Sequence, residues 1–183
     1  METQSIYNLE KWPKDLLIDY CIKVHHRNIR ANGPKIIERN EELINQYPKD
    51  KMLQEIHLQM KESLIALEEH LQKEEKVLFP FLYSLYDAYQ NNSKIESIHC
   101  GSIINPINVM IFEHIQEDNR FEGLKTLTNN FDTTNIDTNY ISLYIKLKSF
   151  IKGFYEHIYI ENELIFPFFE KIEQSHIMCN NIK

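Results

Sequence analysis

The sequence predicts an all-α protein: a bundle of four long helices plus a short helical segment, with approximate internal two-fold symmetry. Three observations lead there. Four glycines and six prolines are spread over 183 residues, too few for a turn-rich sheet protein. Apolar residues recur at three- and four-residue steps, most clearly at Leu53, Ile56, Met60, Leu64, Leu67 and Leu71, the helical period. The chain also repeats itself. His70-Leu71-Gln72-Lys73-Glu74 precedes Val77-Leu78-Phe79-Pro80-Phe81, and His157-Ile158-Tyr159-Ile160-Glu161 precedes Leu164-Ile165-Phe166-Pro167-Phe168. A lone imidazole stands upstream of each copy: His26 lies 44 residues before His70, and His114 lies 43 before His157.

Pro13 suits a first helical turn, where its missing N–H costs little. Leu16, Leu17, Tyr20, Val24 and Ile29 then give an apolar side that passes His26. Gly33-Pro34 is expected to interrupt this run, leaving Ile36 to Gln46 as the short segment before Pro48. The second long helix is expected from Lys51 to Val77, with a bend or stop at Phe79-Pro80 and helix-compatible chain from Phe81 to Tyr89. Asn91-Asn92-Ser93 opens a connection, and Cys100-Gly101-Ser102 leads into the third helix. Asn105-Pro106 reads as an N-cap and first-turn proline, with that helix running from Pro106 to Leu127. Thr128 to Asn139 is polar and reads as a loop. The fourth helix runs from Tyr140 to about Lys171, with a break near Pro167 and fraying after Ser175. The whole chain, 1–183, is expected to be one domain with its core at about 13–172.

The formal charge of −7 argues against nucleic acid as a partner, because a phosphate backbone selects basic surfaces. No apolar run is long enough to span a bilayer, and the first residues show no basic segment followed by an apolar stretch. A cytoplasmic location without a membrane partner is expected. Cys21, Cys100 and Cys179 are spaced too widely for a redox pair or a thiolate metal cluster, and each reads as a core or surface residue. No feature fixes the oligomeric state.

Positions four apart share a helix face. His70 and Glu74 can therefore point into one cavity, and His157 and Glu161 into the same cavity from another helix. Both pairs sit among core-forming apolar residues, where an unpaired carboxylate would be costly and metal coordination would compensate it. His26, His70, His114 and His157 are candidate terminal ligands, and Glu74 and Glu161 candidate bridging ligands, for a pair of metal ions in a bundle core. Two iron ions suit this mixed donor set and add redox chemistry, while zinc and manganese share the donors. Glu75, Glu117, Asp118 and Glu163 read as surface, capping or ligand-supporting groups.

His25-His26-Arg27, the stretch from His70 to Pro80, Asn105 to Met110 leading into Glu113-His114, and the stretch from His157 to Pro167 resemble, in that order, the hemerythrin-like di-iron proteins. They are most similar to the family called repair of iron centres. The resemblance covers Leu16 to Glu170. It implies a hemerythrin-like up-and-down four-helix bundle, the same six ligands, and Glu113 as a carboxylate that supports a ligand. This family often carries a small cysteine-containing domain ahead of its helical domain, and too few residues precede His26 here for that domain. The family also has a further ligand histidine between the positions of His26 and His70. Counting from Pro34 places Tyr47 near that position, as a phenolate ligand or a cavity-lining ring. The one intervening histidine, His57, would lie about 20 Å along a continuous helix from His70, which favours a surface or second-site role. His25 is expected to orient His26 or to exchange roles with it.

The resemblance implies a non-haem di-iron protein that helps repair iron–sulfur centres damaged by nitrosative or oxidative stress, through iron donation or nitric oxide redox chemistry. Its partners would be iron–sulfur proteins, an electron donor and a diatomic such as nitric oxide or oxygen. Two alternatives stand beside it: an oxygen- or nitric-oxide-binding sensor or carrier, and a structural helical interaction protein.

Overall fold

The computed structural model describes residues 8–93, 102–134 and 136–180, with side chains described through Ser175. The Cys100-Gly101 lead-in and the side chain of Cys179 lie outside the described residues. After a 3-10 turn at Leu9–Lys11, four long helices follow. Helix α1 joins Lys14–Tyr20, a π-helical segment Cys21–His26, and Arg27–Gln46. Helix α2 joins Lys51–Lys73, a π segment Glu74–Leu78, and Phe79–Gln90. Helix α3 is Ile104–Leu127. Helix α4 joins Thr138–Tyr159, a π segment Ile160–Ile165, and Phe166–Asn180. The expected all-α four-helix bundle is the fold, with α1 packed on α2 and α4, and α3 on α2.

Three expected breaks do not occur. Gly33-Pro34 lies inside α1, so the segment from Ile36 to Gln46 continues that helix. Ile29, Gly33, Ile36, Asn40 and Leu43 form one buried face, and a Cβ on Gly33 would collide with Leu64 of α2. Burial of that face outweighs the cost of one interior proline, about 3 kcal/mol. Pro80 and Pro167 also lie within continuous helices, each two residues past a π segment. The wider π turn removes the i−4 register that a proline ring would otherwise strike. The third helix begins at Ile104, before Asn105-Pro106. There the Ser102 hydroxyl accepts from the Ile104 N–H at 3.2 Å and Glu173 accepts from the Ile103 N–H at 2.9 Å.

Asp50 caps α2 by accepting from the Met52 and Leu53 N–H groups, and Asp137 caps α4 through Asn139. In the α3–α4 turn, Asn130 and Phe131 adopt left-handed backbone (φ 58° and 57°). The Phe131 ring is buried, which offsets a conformation unfavourable for a bulky residue.

Apolar side chains form two clusters. One takes Ile29 to Leu43 of α1, Leu53 to Leu71 of α2, Phe121 and Leu124 of α3, and Tyr140 to Phe154 of α4. The other takes Leu17 to Cys21, Leu78 to Leu85, Ile103 to Met110, and Ile160 to Ile172. Each helix crosses from one cluster to the other, and the buried polar residues His26, Glu74, His114, His157 and Glu161 fall at or beside the crossing points. No helix among the described residues is long and apolar enough to cross a membrane.

Candidate metal centre

Each helix brings one histidine to the seam between the two clusters, and α2 and α4 each add a glutamate one turn on. A π segment lies beside the candidate ligands of every long helix except α3: His26 ends one, Glu74 begins another, and Glu161 lies in the third. Such segments re-aim side chains that a regular helix would carry past the site.

The six side chains form two groups of four, His26, Glu74, His157 and Glu161, and His70, Glu74, His114 and Glu161. Within each group, one candidate ligand atom per residue lies within 4.8 Å of the others. Both glutamates belong to both groups. In the first, His26 Nε2 is 3.2 Å from His157 Nε2, 3.4 Å from Glu74 Oε2 and 3.9 Å from Glu161 Oε1. In the second, His114 Nε2 is 3.0 Å from His70 Nε2 and 3.2 Å from Glu161 Oε2, and His70 Nε2 is 3.3 Å from Glu74 Oε1.

The outer ring nitrogens decide what the inner ones offer. His26 Nδ1 meets Glu75 Oε1 at 2.7 Å, His70 Nδ1 meets Glu113 Oε2 at 2.9 Å, and His114 Nδ1 meets the side-chain Oδ1 of Asn162 at 3.0 Å. These partners accept, so each Nδ1 donates and, in the neutral ring, Nε2 turns a lone pair inward. Lone pairs facing each other at such distances repel unless a cation or proton lies between them. Two nitrogens bound to one ion at about 2.1 Å each, near a right angle, lie about 3.0 Å apart. Both oxygens of Glu74 and Oε2 of Glu161 are buried without a hydrogen-bond donor. The donor set and its orphaned atoms fit a pair of cations.

Without cations, protons fill the role. Burial pulls His26 down, but the Glu161 and Glu74 carboxylates outweigh it and raise the ring to about 10. Burial likewise opposes His70, which Glu74 and Glu113 raise to about 10. Burial also works against ionisation of Glu161, yet His157, His114 and His26 hold it well below the usual carboxylate range.

The halves are built alike. Phe79 stacks on His26 with centroids 5.8 Å apart, and Phe166 lies parallel to His114 at 6.4 Å. Glu75 and Asn162, each one residue after its glutamate, hold equivalent imidazoles. Glu113 is fixed by Lys73 as well as His70, and His70 and Lys73 hold its carboxyl near 2.

The remaining expectations resolve differently. His25 stacks against His157 and belongs to neither group of four, so its ring faces the opposite helix. Tyr47 lies at the far end of the bundle: its hydroxyl donates to Asp137 Oδ2 at 2.6 Å and accepts from Asn139. It ends α1 some 30 Å along the helix from His26, and counting from Pro34 failed because α1 runs on unbroken. His57 stands 3.7 Å from Glu41, on an uninterrupted α-helix with His70. Neither Tyr47 nor His57 reaches the cluster.

Two further residues lie beside the cluster, Cys21, which reads in sequence as a core or surface residue, and Glu117, which reads as a surface, capping or ligand-supporting group. Cys21 is fully buried, its thiol beside Glu161 and Glu74, and burial pushes it well above its usual range. Glu117 is buried at 4% exposure. It lies in the wall of a cavity of about 160 Å³ that reaches His70 and His114 between α2 and α3. Its spacing of three from His114 places it on the same helix face and was the one signal available.

Comparison with known proteins agrees with this geometry. Residues 18–169 match the hemerythrin HHE cation binding domain. A Haemophilus influenzae protein named "Probable iron-sulfur cluster repair protein" is 30% identical over 154 residues, 82% of this chain and 63% of that protein. The iron-sulfur cluster repair protein YtfE of Musicola paradisiaca is 30% identical over 169 residues, 91% of this chain and 70% of that one. YtfE of Dickeya chrysanthemi is 30% identical over 154 residues, 82% of this chain and 63% of its own. The chain thus spans a little under two thirds of the length of two of these relatives.

Proposed function

The chain belongs to the hemerythrin HHE cation-binding family, and on that premise we propose that it is a non-haem di-iron protein that repairs iron–sulfur centres damaged by nitrosative or oxidative stress. The observation that carries this reading is the pair of inward-facing imidazole couples sharing two buried carboxylates. In it, His26 and His157 would hold one ion and His70 and His114 the other, with the Glu74 and Glu161 carboxylates available to both. The names of the relatives support the repair assignment.

Iron is favoured over zinc and manganese because imidazole–carboxylate sets serve iron well and the relatives' chemistry concerns iron centres. A bound iron pair supplies one-electron chemistry and exchangeable coordination positions. The protein's part is to orient and insulate. Glu75, Glu113 and Asn162 fix three ring tautomers, Phe79 and Phe166 cover two imidazoles, and the apolar clusters exclude water. Repair would proceed by iron donation or by redox chemistry on nitric oxide, in the cytoplasm, with iron–sulfur proteins and an electron donor as partners. The cavity that reaches His70 and His114 favours a second reading, reversible binding of nitric oxide or oxygen.

The test is an anaerobic incubation of the iron-loaded, reduced protein with a nitric-oxide-damaged [4Fe–4S] protein. Cluster absorbance should return faster than with an equal amount of free ferrous iron, and the Glu161→Ala protein should give no advantage. Equal recovery with free iron contradicts repair. Reversible nitric oxide uptake without cluster recovery selects the second reading.

A further inference from the structure

The seam between α1 and α4 carries positive charge that the metal centre does not use. The sequence has no acidic residue from Arg27 to Ile37 of α1 or from Thr138 to Tyr155 of α4, in a chain of formal charge −7. Lys35 and Lys146 line a groove of about 230 Å³ there, with Asn28, Asn32, Ser149 and the exposed Ile145. Lys148 and Lys152 follow Ile145 at helical steps of three and four, on the same face. Elsewhere Lys23, Arg30, Lys73, Arg120 and Lys125 each pair with a carboxylate. Among the described residues, Lys35, Lys146, Lys148 and Lys152 form no ion pair. Four uncompensated like charges on one face repel one another, and an anionic partner relieves that repulsion.

We propose that this seam is the docking surface for a small acidic electron-carrier protein, whose carboxylates meet the lysines and whose electron enters the centre through the His25–His157 stack. The inference rests on the reading that the two clusters hold iron. The groove runs toward that stack. A Cβ on Gly153 would lie 3.1 Å from Asn28 Nδ2, so α1 and α4 approach closely where the groove ends. One turn further along each helix stand His25 and His157, with ring centroids 5.7 Å apart, and His157 belongs to the first group of four. None of the six candidate ligands lines the groove. It therefore offers an iron ion no exit, whereas an electron needs only the stacked rings. Lys35 Nζ donates to Asn32 Oδ1 at 3.2 Å, and the other two donors of its ammonium remain for a partner's carboxylate. Ile145, 61% exposed, gives the ring of lysines an apolar centre. One groove and one helix face suit the small, transient contact of a redox encounter, below about 1,200 Å². Each reduced carrier gives up one electron and one ferric ion becomes ferrous, so two carriers reduce the pair and no bond is made or broken.

The experiment mixes the iron-loaded, diferric protein with a reduced, acidic [2Fe–2S] ferredoxin in an anaerobic stopped-flow instrument and follows ferredoxin reoxidation. An uncharged hydroquinone serves as the second reductant. Lys146→Glu/Lys152→Glu should slow reduction by ferredoxin at least about tenfold at low salt, the scale of electrostatic steering. Lys146→Gln/Lys152→Gln should fall between that protein and the wild type, and the wild-type rate should drop as salt rises. Lys61→Glu/Lys76→Glu puts the same net charge on the exposed face of α2 and should stay within about twofold of wild type. Hydroquinone should reduce all four proteins alike. Equal ferredoxin rates in the two charge-reversed proteins overturn the docking surface, and so does equal slowing with hydroquinone, the signature of a damaged centre. Saturable binding of inorganic phosphate, with ferredoxin rates indifferent to the lysines, assigns the groove to a small anion and also overturns it. Iron content separates the failures: a wild type without iron contradicts the di-iron reading itself, whereas two irons reducible at rates indifferent to Lys146 and Lys152 contradict only this assignment.

Discussion

His25 lies nearly parallel to His157, with ring centroids 5.7 Å apart and planes 16° apart. The internal repeat makes this informative, because Glu113 precedes His114 as His25 precedes His26, and Glu113 hydrogen-bonds His70. One half supports its helix-borne imidazole with a carboxylate, the other with a stacked ring. His157 Nδ1 has no hydrogen-bond partner among the described residues. A carboxylate behind a ligand histidine fixes its tautomer and raises its basicity, and its loss typically costs about 10–100-fold in metal affinity. Glu113→Ala should fall in that range, while His25→Phe, which keeps the stack, should stay within a few-fold of wild type. Competition against a chromogenic chelator measures both, and a larger loss in His25→Phe would show that the stack is not what supports His157.

Proton occupancy gives a pH signature. In the metal-free fold His26 and His70 are raised to about 10, against an ordinary imidazole value of about 6.5. Folding therefore takes up protons between those values. The stabilisation is complete below about 6.5 and is lost as pH rises toward 10. Metal replaces those protons, so the melting temperature of the metal-free protein should fall across that window and that of the loaded protein should change far less. A metal-free melting temperature that climbs from pH 7 to 9 would contradict the assignment of protons to the inner nitrogens.

Tyr47 and His57 are expected to be irrelevant to metal. Tyr47→Phe removes exposed hydrogen bonds at the capped end of the bundle and should leave the melting temperature nearly unchanged. His57→Ala removes a partly exposed contact with Glu41, worth about 0–1 kcal/mol. Metal content should be unchanged in both. Loss of an ion from either protein would place a ligand where the structure has none.

Much of this centre was legible in the chain because it depends on helical spacing. His70 with Glu74, and His157 with Glu161, need only the four-residue period to share a face. The rest depends on tertiary packing. The π segments beside His26, Glu74 and Glu161 carry no composition of their own, and Pro80 and Pro167 read as stops because the widened turns that accommodate them could not be foreseen. Gly33-Pro34 reads as a break until Leu64 is seen to need the space of the missing side chain. Tyr47 was placed by counting along the sequence, and only the unbroken course of α1 shows that it ends up at the far end of the bundle. Cys21 looks ordinary in sequence, and Glu117 reads there as a surface, capping or ligand-supporting group; burial beside the imidazoles and carboxylates is what distinguishes them.

The most direct test of the centre is metal per chain, determined by elemental analysis of protein purified without added metal or chelator and again after anaerobic reconstitution with ferrous iron. Glu74 and Glu161 belong to both groups of four, so removing either should weaken both positions at once. The expected result is close to two irons in the wild type and well under one in Glu74→Ala and in Glu161→Ala, with helicity retained. No stoichiometric metal in any wild-type preparation, or two irons retained in either variant, would contradict a pair of ions bridged by these carboxylates.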